Sequence, residues 1–283
     1  MSNNFFFIKR IWSIGPSMTT SRTGFSGTGS ILATMICGGW TNTWGGSNTN
    51  TTELFDGTTW SSSGNMVRNE HVHNCCGSQD AATCITGLAQ VYSYAFDGSA
   101  WSSTANSNRV SNYSQIFGSQ NDCVKSGNNT AGIKNKAESF NGTAWSNISD
   151  MTEDKLAAAS FGSSTNGIVA GGGSTSFGTN CQKYDGSTWS NTSGSLIISN
   201  FNNSHSVGSS GSFGMQCCGA SALSPFTLHK RAFQYDDISW YSISSLNGII
   251  RRGHAYGGID PNNCLVVGGD NESTPTTATE IYS

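Results

Sequence analysis

The sequence predicts an all-β protein: a closed six-bladed β-propeller of four-stranded antiparallel blades. Three observations carry that prediction. A phrase of aromatic, Asp or Asn, usually Gly, two residues and Trp recurs along the chain. An apolar run that stops at glycine precedes each phrase. The two ends of the chain hold complementary fragments of one repeat.

The phrase occurs as Phe55-Asp56-Gly57-Thr58-Thr59-Trp60, Phe96-Asp97-Gly98-Ser99-Ala100-Trp101, Phe140-Asn141-Gly142-Thr143-Ala144-Trp145, Tyr184-Asp185-Gly186-Ser187-Thr188-Trp189 and Tyr235-Asp236-Asp237-Ile238-Ser239-Trp240. Its tryptophans are 41, 44, 44 and 51 residues apart. Asp-Gly or Asn-Gly between β-prone flanks signals a hairpin, because such turns need positive φ. The aromatic therefore lies on one strand and Trp on the next. Upstream stand apolar strands such as Ile31–Ile36, Ile168–Ala170 and Leu265–Val267, each running into glycine. Ahead of those come small-residue strands such as 157–162 and 254–257. Small side chains suit the strand that crowds around a propeller axis.

The ends settle closure. Ala278 to Tyr282 matches an aromatic strand, and no Trp strand follows it. Ile11-Trp12-Ser13-Ile14 matches a Trp strand, and Met18 follows it as Met66 and Met151 follow others. The N-terminal strand is expected to complete the last blade beside Ile281 and Tyr282, removing free sheet edges. Blades are expected at about 18–65, 66–106, 107–150, 151–194, 195–244, and 245–283 with 1–17, in one domain.

Composition narrows function. The 283 residues include 35 glycines, 14 Lys and Arg without a basic stripe, and a net charge of −3. That balance gives no footprint for nucleic acid. No stretch reaches the roughly 18 apolar residues of a membrane span, and the N-terminus lacks the parts of a secretory signal.

The Gly-Gly, aromatic-Asp-Gly and spaced-Trp pattern is similar to kelch repeats, whose period is about 50 residues, over essentially the whole chain. It more closely resembles the divergent kelch-like structural proteins of tailed phages and marine viruses. Those favour a phrase like Phe-Asn-Gly-Thr-Ala-Trp-Ser followed by Met or Leu and a basic residue, as in Trp145 to Lys155 and Trp60 to Arg68. Blade five departs, with Asp237 in place of the turn glycine and no basic residue near Asn200. The resemblance implies a virion component, made in a host cytoplasm and present in multiple copies, that binds other virion proteins or a host-surface glycan. The alternatives are a cellular kelch-type interaction module and a secreted carbohydrate-active enzyme.

Catalysis is not expected. Kelch-like propellers include copper radical oxidases, but no blade supplies that full set of Tyr, His and Cys. His73, His205 and His254 fall at similar positions on inner strands and are expected to line a polar channel, with no metal and no cofactor. His71 and His229 complete the histidines. Arg22, Arg68, Arg109 and Arg251 recur about once per blade and read as structural ties rather than a substrate clamp. The nine cysteines lack a Cys-x-x-Cys spacing for zinc. They are expected to be mostly buried thiols, with a Cys76–Cys84 disulfide as the open alternative.

Binding is expected where the blades differ. The loops between the second and third strands vary most and carry Trp40, Trp44, Phe177, Phe226 and His229. Exposed Trp among Asn, Thr and Gly suits stacking on sugar or packing on a protein. The competing expectation is that Trp40 and Trp44 fold back onto their own blade.

Overall fold

A computed structural model describes residues 10–42, 45–173, 178–199, 206–220, 227–248 and 251–283. The chain opens with β1 (Trp12–Gly15). Blade one follows as β2 (Ser26–Ser30), β3 (Ala33–Cys37), β4 (Thr52–Phe55) and β5 (Trp60–Ser63). Blade two is β6 (Asn74–Gly77), β7 (Ala82–Ile85), β8 (Ser93–Phe96) and β9 (Trp101–Ser103). Blade three is β10 (Gln115–Ser119), β11 (Asp122–Ser126), β12 (Ala137–Phe140) and β13 (Trp145–Asn147). Blade four is β14 (Ala159–Ser163), β15 (Asn166–Ala170), β16 (Cys181–Tyr184) and β17 (Trp189–Asn191). Blade five is β18 (Val207–Ser210), β19 (Phe213–Cys217), β20 (Ala232–Tyr235) and β21 (Trp240–Ile243). Blade six is β22 (Ala255–Asp260), β23 (Asn263–Val267) and β24 (Thr279–Tyr282), with β1 as its outer strand.

Every sheet is four-stranded and antiparallel, and the ring closes as the sequence predicts: a six-bladed propeller whose last blade is completed by the N-terminal strand. Trp12 pairs with Tyr282 and Ser13 with Ile281. The same aromatic–Trp pairing appears as Phe55 with Trp60, Phe96 with Trp101, Phe140 with Trp145, Tyr184 with Trp189 and Tyr235 with Trp240.

The hairpin turn between them is chemically uniform. Asp56 Oδ1 accepts the Thr58 and Thr59 amides at 2.8 and 2.7 Å, and Asp97, Asn141, Asp185 and Asp236 repeat that bond pattern. The next residue takes positive φ, from 89° to 97° at Gly57, Gly98, Gly142 and Gly186, and 75° at Asp237. Aspartate tolerates that region better than most L-residues because its short side chain bonds locally.

The apolar core lies between blades rather than within them. Each of six clusters joins neighbours: Met35 and Cys37 of blade one meet Cys75, Cys84 and Phe96 of blade two, for example. Trp12 and Tyr282 join Val207, Met215 and Cys217 of blade five. Phe25, Ile36 and Trp60 join Ala255, Leu265 and Val267 of blade six. Because each junction buries its own cluster, the ring is held by six separate hydrophobic contacts.

Candidate functional site

The two faces of the ring are built differently. One carries the short turns from first to second and third to fourth strands, such as 31–32 and 56–59. The other carries the second-to-third loops and the connectors between blades, such as 38–51, 86–92 and 64–73. The second face carries the longer and more variable loops, the kind of segment on which the binding residues of a rigid scaffold usually sit.

A repeated tie anchors the connectors on this face. In blade one, Arg22 Nη2 donates to Glu53 Oε1 at 2.7 Å, and both side chains are fully buried. Glu53 also accepts the Thr19 and Thr20 amides. Arg251 and Glu280 repeat the pair at 2.7 Å, with the Asn247 and Gly248 amides on the same carboxylate. In blade three, Glu138 takes Lys125 at 2.5 Å and Arg109 at 3.8 Å.

Blades two, four and five lack that acid, with Tyr94, Gln182 and Phe233 at the register position of Glu53, and blade two also inverts the base. Met66 to Glu70 repeats the spacing of Met18 to Arg22, so an acid stands where the base belongs. Tyr94 stands in the register position of Glu53 and donates its hydroxyl to Glu70 Oε1 at 3.0 Å. Glu70 Oε2 is buried as well. Burial pushes the Glu70 carboxyl above its ordinary range, against the pull of His73, the Tyr94 hydroxyl, the Gly87 amide and Arg68. Arg68 is thereby left out of the tie and lies over the Tyr92 ring at 4.4 Å. Together with Asn69, Leu88 and Gln90 these residues line a surface groove between the connector that enters blade two and that blade's second-to-third loop. Val67 beside it is 48 % exposed and Leu88 is 40 % exposed. Of the four recurrent arginines, Arg22 and Arg251 are buried ties, Arg109 is a partial one, and Arg68 is not a tie at all.

The expected binding residues fall differently. Trp40 is buried at 6 % exposure and is not a surface platform. Its ring lies against Gly24, where a Cβ would sit 2.6 Å from it, and stacks on His71 at 4.1 Å between centroids. His229 is half-buried, edge-on to Phe233, and burial with Arg231 nearby pushes its pKa down to about 4. Trp44, Phe177, Phe226 and His205 lie outside the described residues.

The channel also corrects expectation. A central cavity of about 290 Å³ is lined by all six inner strands, from their halves nearest the short turns. Gly29, Gly77, Gly118, Gly162, Gly208 and Gly258 recur there with positive φ; at Gly29 a Cβ would come within 2.1 Å of the Ala33 carbonyl oxygen. His73 and His254 do not line this cavity. Each directly precedes an inner strand and is fully buried. Desolvation and Arg251 push His254 down to about 3, so it is neutral, and its Nε2 lies 2.9 Å from the Tyr256 hydroxyl.

All nine cysteines are buried, and none forms a disulfide. Cys84 faces Cys75 across the ladder rather than Cys76, because a one-residue offset in a strand reverses the face. Two clusters hold soft donors whose ligand atoms lie within 4.8 Å of one another: Cys37, His73, Cys75 and Cys84, and Cys217, Cys218 and His254. Neither shows in a local spacing, since each draws on two blades. The described cavities offer no carboxylate pair: Asp122 is the carboxylate in the lining of the central cavity, Glu70 in the groove, and Glu138 in a small pocket with Arg109 and Lys125.

No protein-family model and no curated protein matches the chain. Its architecture is consistent with a kelch-type fold in general. No helix among the described residues is long and apolar enough to cross a membrane.

Proposed function

We propose that the protein is a non-enzymatic interaction scaffold that binds a partner protein through the loop face, centred on the groove between the connector into blade two and that blade's second-to-third loop. The observation that carries this reading is the substitution of the buried Arg–Glu tie by Glu70 and Tyr94, which frees Arg68 beside Tyr92, Leu88 and Val67. Arg and Tyr are enriched at the energetic centres of protein interfaces, and apolar side chains at their edge exclude water. The partner that fits offers a carboxylate to Arg68 and an apolar side chain to Leu88. A protein fits better than a glycan here, because Trp40 is buried and offers no open ring for a sugar.

The setting we propose, on the repeat resemblance alone, is a virus particle, with a neighbouring particle protein as partner. A photo-crosslinking residue placed at Leu88, and separately at Ile238 on the short-turn face, tests the face assignment in the native assembly. We expect one defined adduct from position 88, abolished by Arg68→Glu, and none from position 238. Equal adducts from both faces, or none from position 88, would refute it. Retention on a glycan array that Arg68→Glu leaves unchanged would favour the sugar reading.

A further inference from the structure

We propose that Cys37, His73, Cys75 and Cys84 form a tetrahedral zinc site that staples blade one to blade two. Cys37 ends β3 in blade one, whereas Cys75 lies on β6 and Cys84 on β7 of blade two. His73 directly precedes β6. The site therefore spans a junction between separate sheets, which is also held by apolar packing and by hydrogen bonds such as those from Gln79 Nε2 to the Thr34 and Phe55 carbonyls.

The donor set and its geometry both fit. Three thiols and an imidazole are a recurrent structural zinc set, with Zn–S near 2.3 Å and Zn–N near 2.0 Å, which places neighbouring donors about 3.5–3.8 Å apart. Cys37 Sγ lies 3.4 Å from His73 Nε2 and 3.5 Å from Cys75 Sγ. No pair of the four donors is more than 4.8 Å apart, about an ångström beyond that edge. All four side chains are essentially inaccessible to solvent. A site with four protein ligands and no open position is structural rather than catalytic, in keeping with the absence of a carboxylate pair in the described cavities.

The ring supplies its own comparison. Cys217 ends β19 as Cys37 ends β3, and His254 precedes β22 as His73 precedes β6. The Cys–His meeting is thus made twice, once at each of two junctions. At the second, however, Tyr256 pairs with Val266 where Cys75 pairs with Cys84. Tyr256 hydroxyl bonds to the Cys217 carbonyl and His254 Nε2, closing that site with hydrogen bonds. At the first junction the two extra positions are both thiols, and His73 Nε2 faces Cys37 Sγ at 3.4 Å. Ordinary core filling explains one buried cysteine at a time; it does not explain two paired thiols facing a third thiol and an imidazole.

The test uses the full chain, purified after expression with added zinc and again with added cobalt. We expect about one zinc per chain by elemental analysis and, with Co²⁺, the intense visible bands and thiolate charge-transfer absorption of a tetrahedral thiolate site. Cys84→Ser and His73→Phe should each lower bound zinc at least several-fold; Phe is chosen because Phe25 fills the equivalent place before β2. Cys123→Ser, a buried cysteine at another junction, should retain it. X-ray absorption on the unmodified protein gives three sulfurs and one nitrogen if the assignment is right, whatever the folding of the variants. Zinc well below one per chain, an octahedral oxygen-rich signature, or a disulfide between Cys75 and either Cys37 or Cys84 would overturn it.

Discussion

Trp12 lies directly across the β1–β24 ladder from Tyr282, with ring centroids 5.1 Å apart, although the two residues stand near opposite ends of the chain. Trp12 Nε1 donates to the Ser244 carbonyl of the preceding blade at 2.8 Å. Asn247 side-chain nitrogen in turn donates to the Trp12 carbonyl. The pair therefore closes blade six and ties it to blade five. Its counterpart within a continuous blade is Phe55 with Trp60, at 5.0 Å.

That relationship predicts a large effect from a residue close to the end of the chain. Trp12→Ala should lower unfolding free energy by about 3–5 kcal/mol, the usual cost of emptying a buried tryptophan site. It should also promote association, since loss of β1 exposes the edge of β24. Chemical denaturation with light scattering checks both.

The buried ties predict a contrast within one residue type. Glu53→Ala leaves Arg22 charged and fully buried and should cost about 3–5 kcal/mol. Arg68→Ala, on the surface of the groove, should change stability by no more than about 0.5 kcal/mol. Denaturant midpoints for the two variants decide this.

Acid should act in two stages. His229 and His254 have folded pKa values near 4 and 3, lowered from 6.5. A lowered folded value means the unfolded chain takes up the proton first, so their contribution is complete above pH 6.5 and is lost as pH falls toward the folded values. Asp185 is held at about 2 rather than 3.8 by the Thr188 and Ser187 amides. Its contribution is complete above 3.8 and fades as pH falls toward 2. Urea midpoints measured against pH should decline from 6.5 downward and steepen below 4; His254→Phe should flatten the first stage and Asp185→Asn the second.

The turn at Asp237 offers a gain. Its φ of 75° is one that the other blades give to glycine, and an L-residue held in that region costs on the order of 1 kcal/mol. Asp237→Gly should raise stability by about 0.5–1 kcal/mol, less whatever the exposed Lys183–Asp237 pair supplies. A rise in thermal midpoint checks it.

The architecture was legible because it is written locally and repeated. The Asp-Gly turns, the Trp strands and the split last repeat each specify their neighbours within a few residues. What escaped the sequence depends on residues far apart. Trp40 is buried because Gly24 leaves room for its ring and His71 covers it. The Cys37 cluster draws donors from two blades, so no spacing announces it. Cys217 matches Cys37 at the strand end, so Cys218 takes the positive-φ position that Gly38 holds in blade one. The groove was hidden for a subtler reason: Arg68 looks like its counterparts in the sequence, and only the position of Glu70 reveals that it is not one.

Every site described above depends on the ring being closed, and hydrogen exchange tests that directly. β1 is the outer strand, so only its alternate amides enter the ladder; the Ser13 amide, which faces Ile281, should exchange slowly together with the Ile281 amide, because the two belong to one bonded pair. Exchange of the N-terminal strand at the rate of an unstructured chain, with the rest of blade six protected, would contradict it.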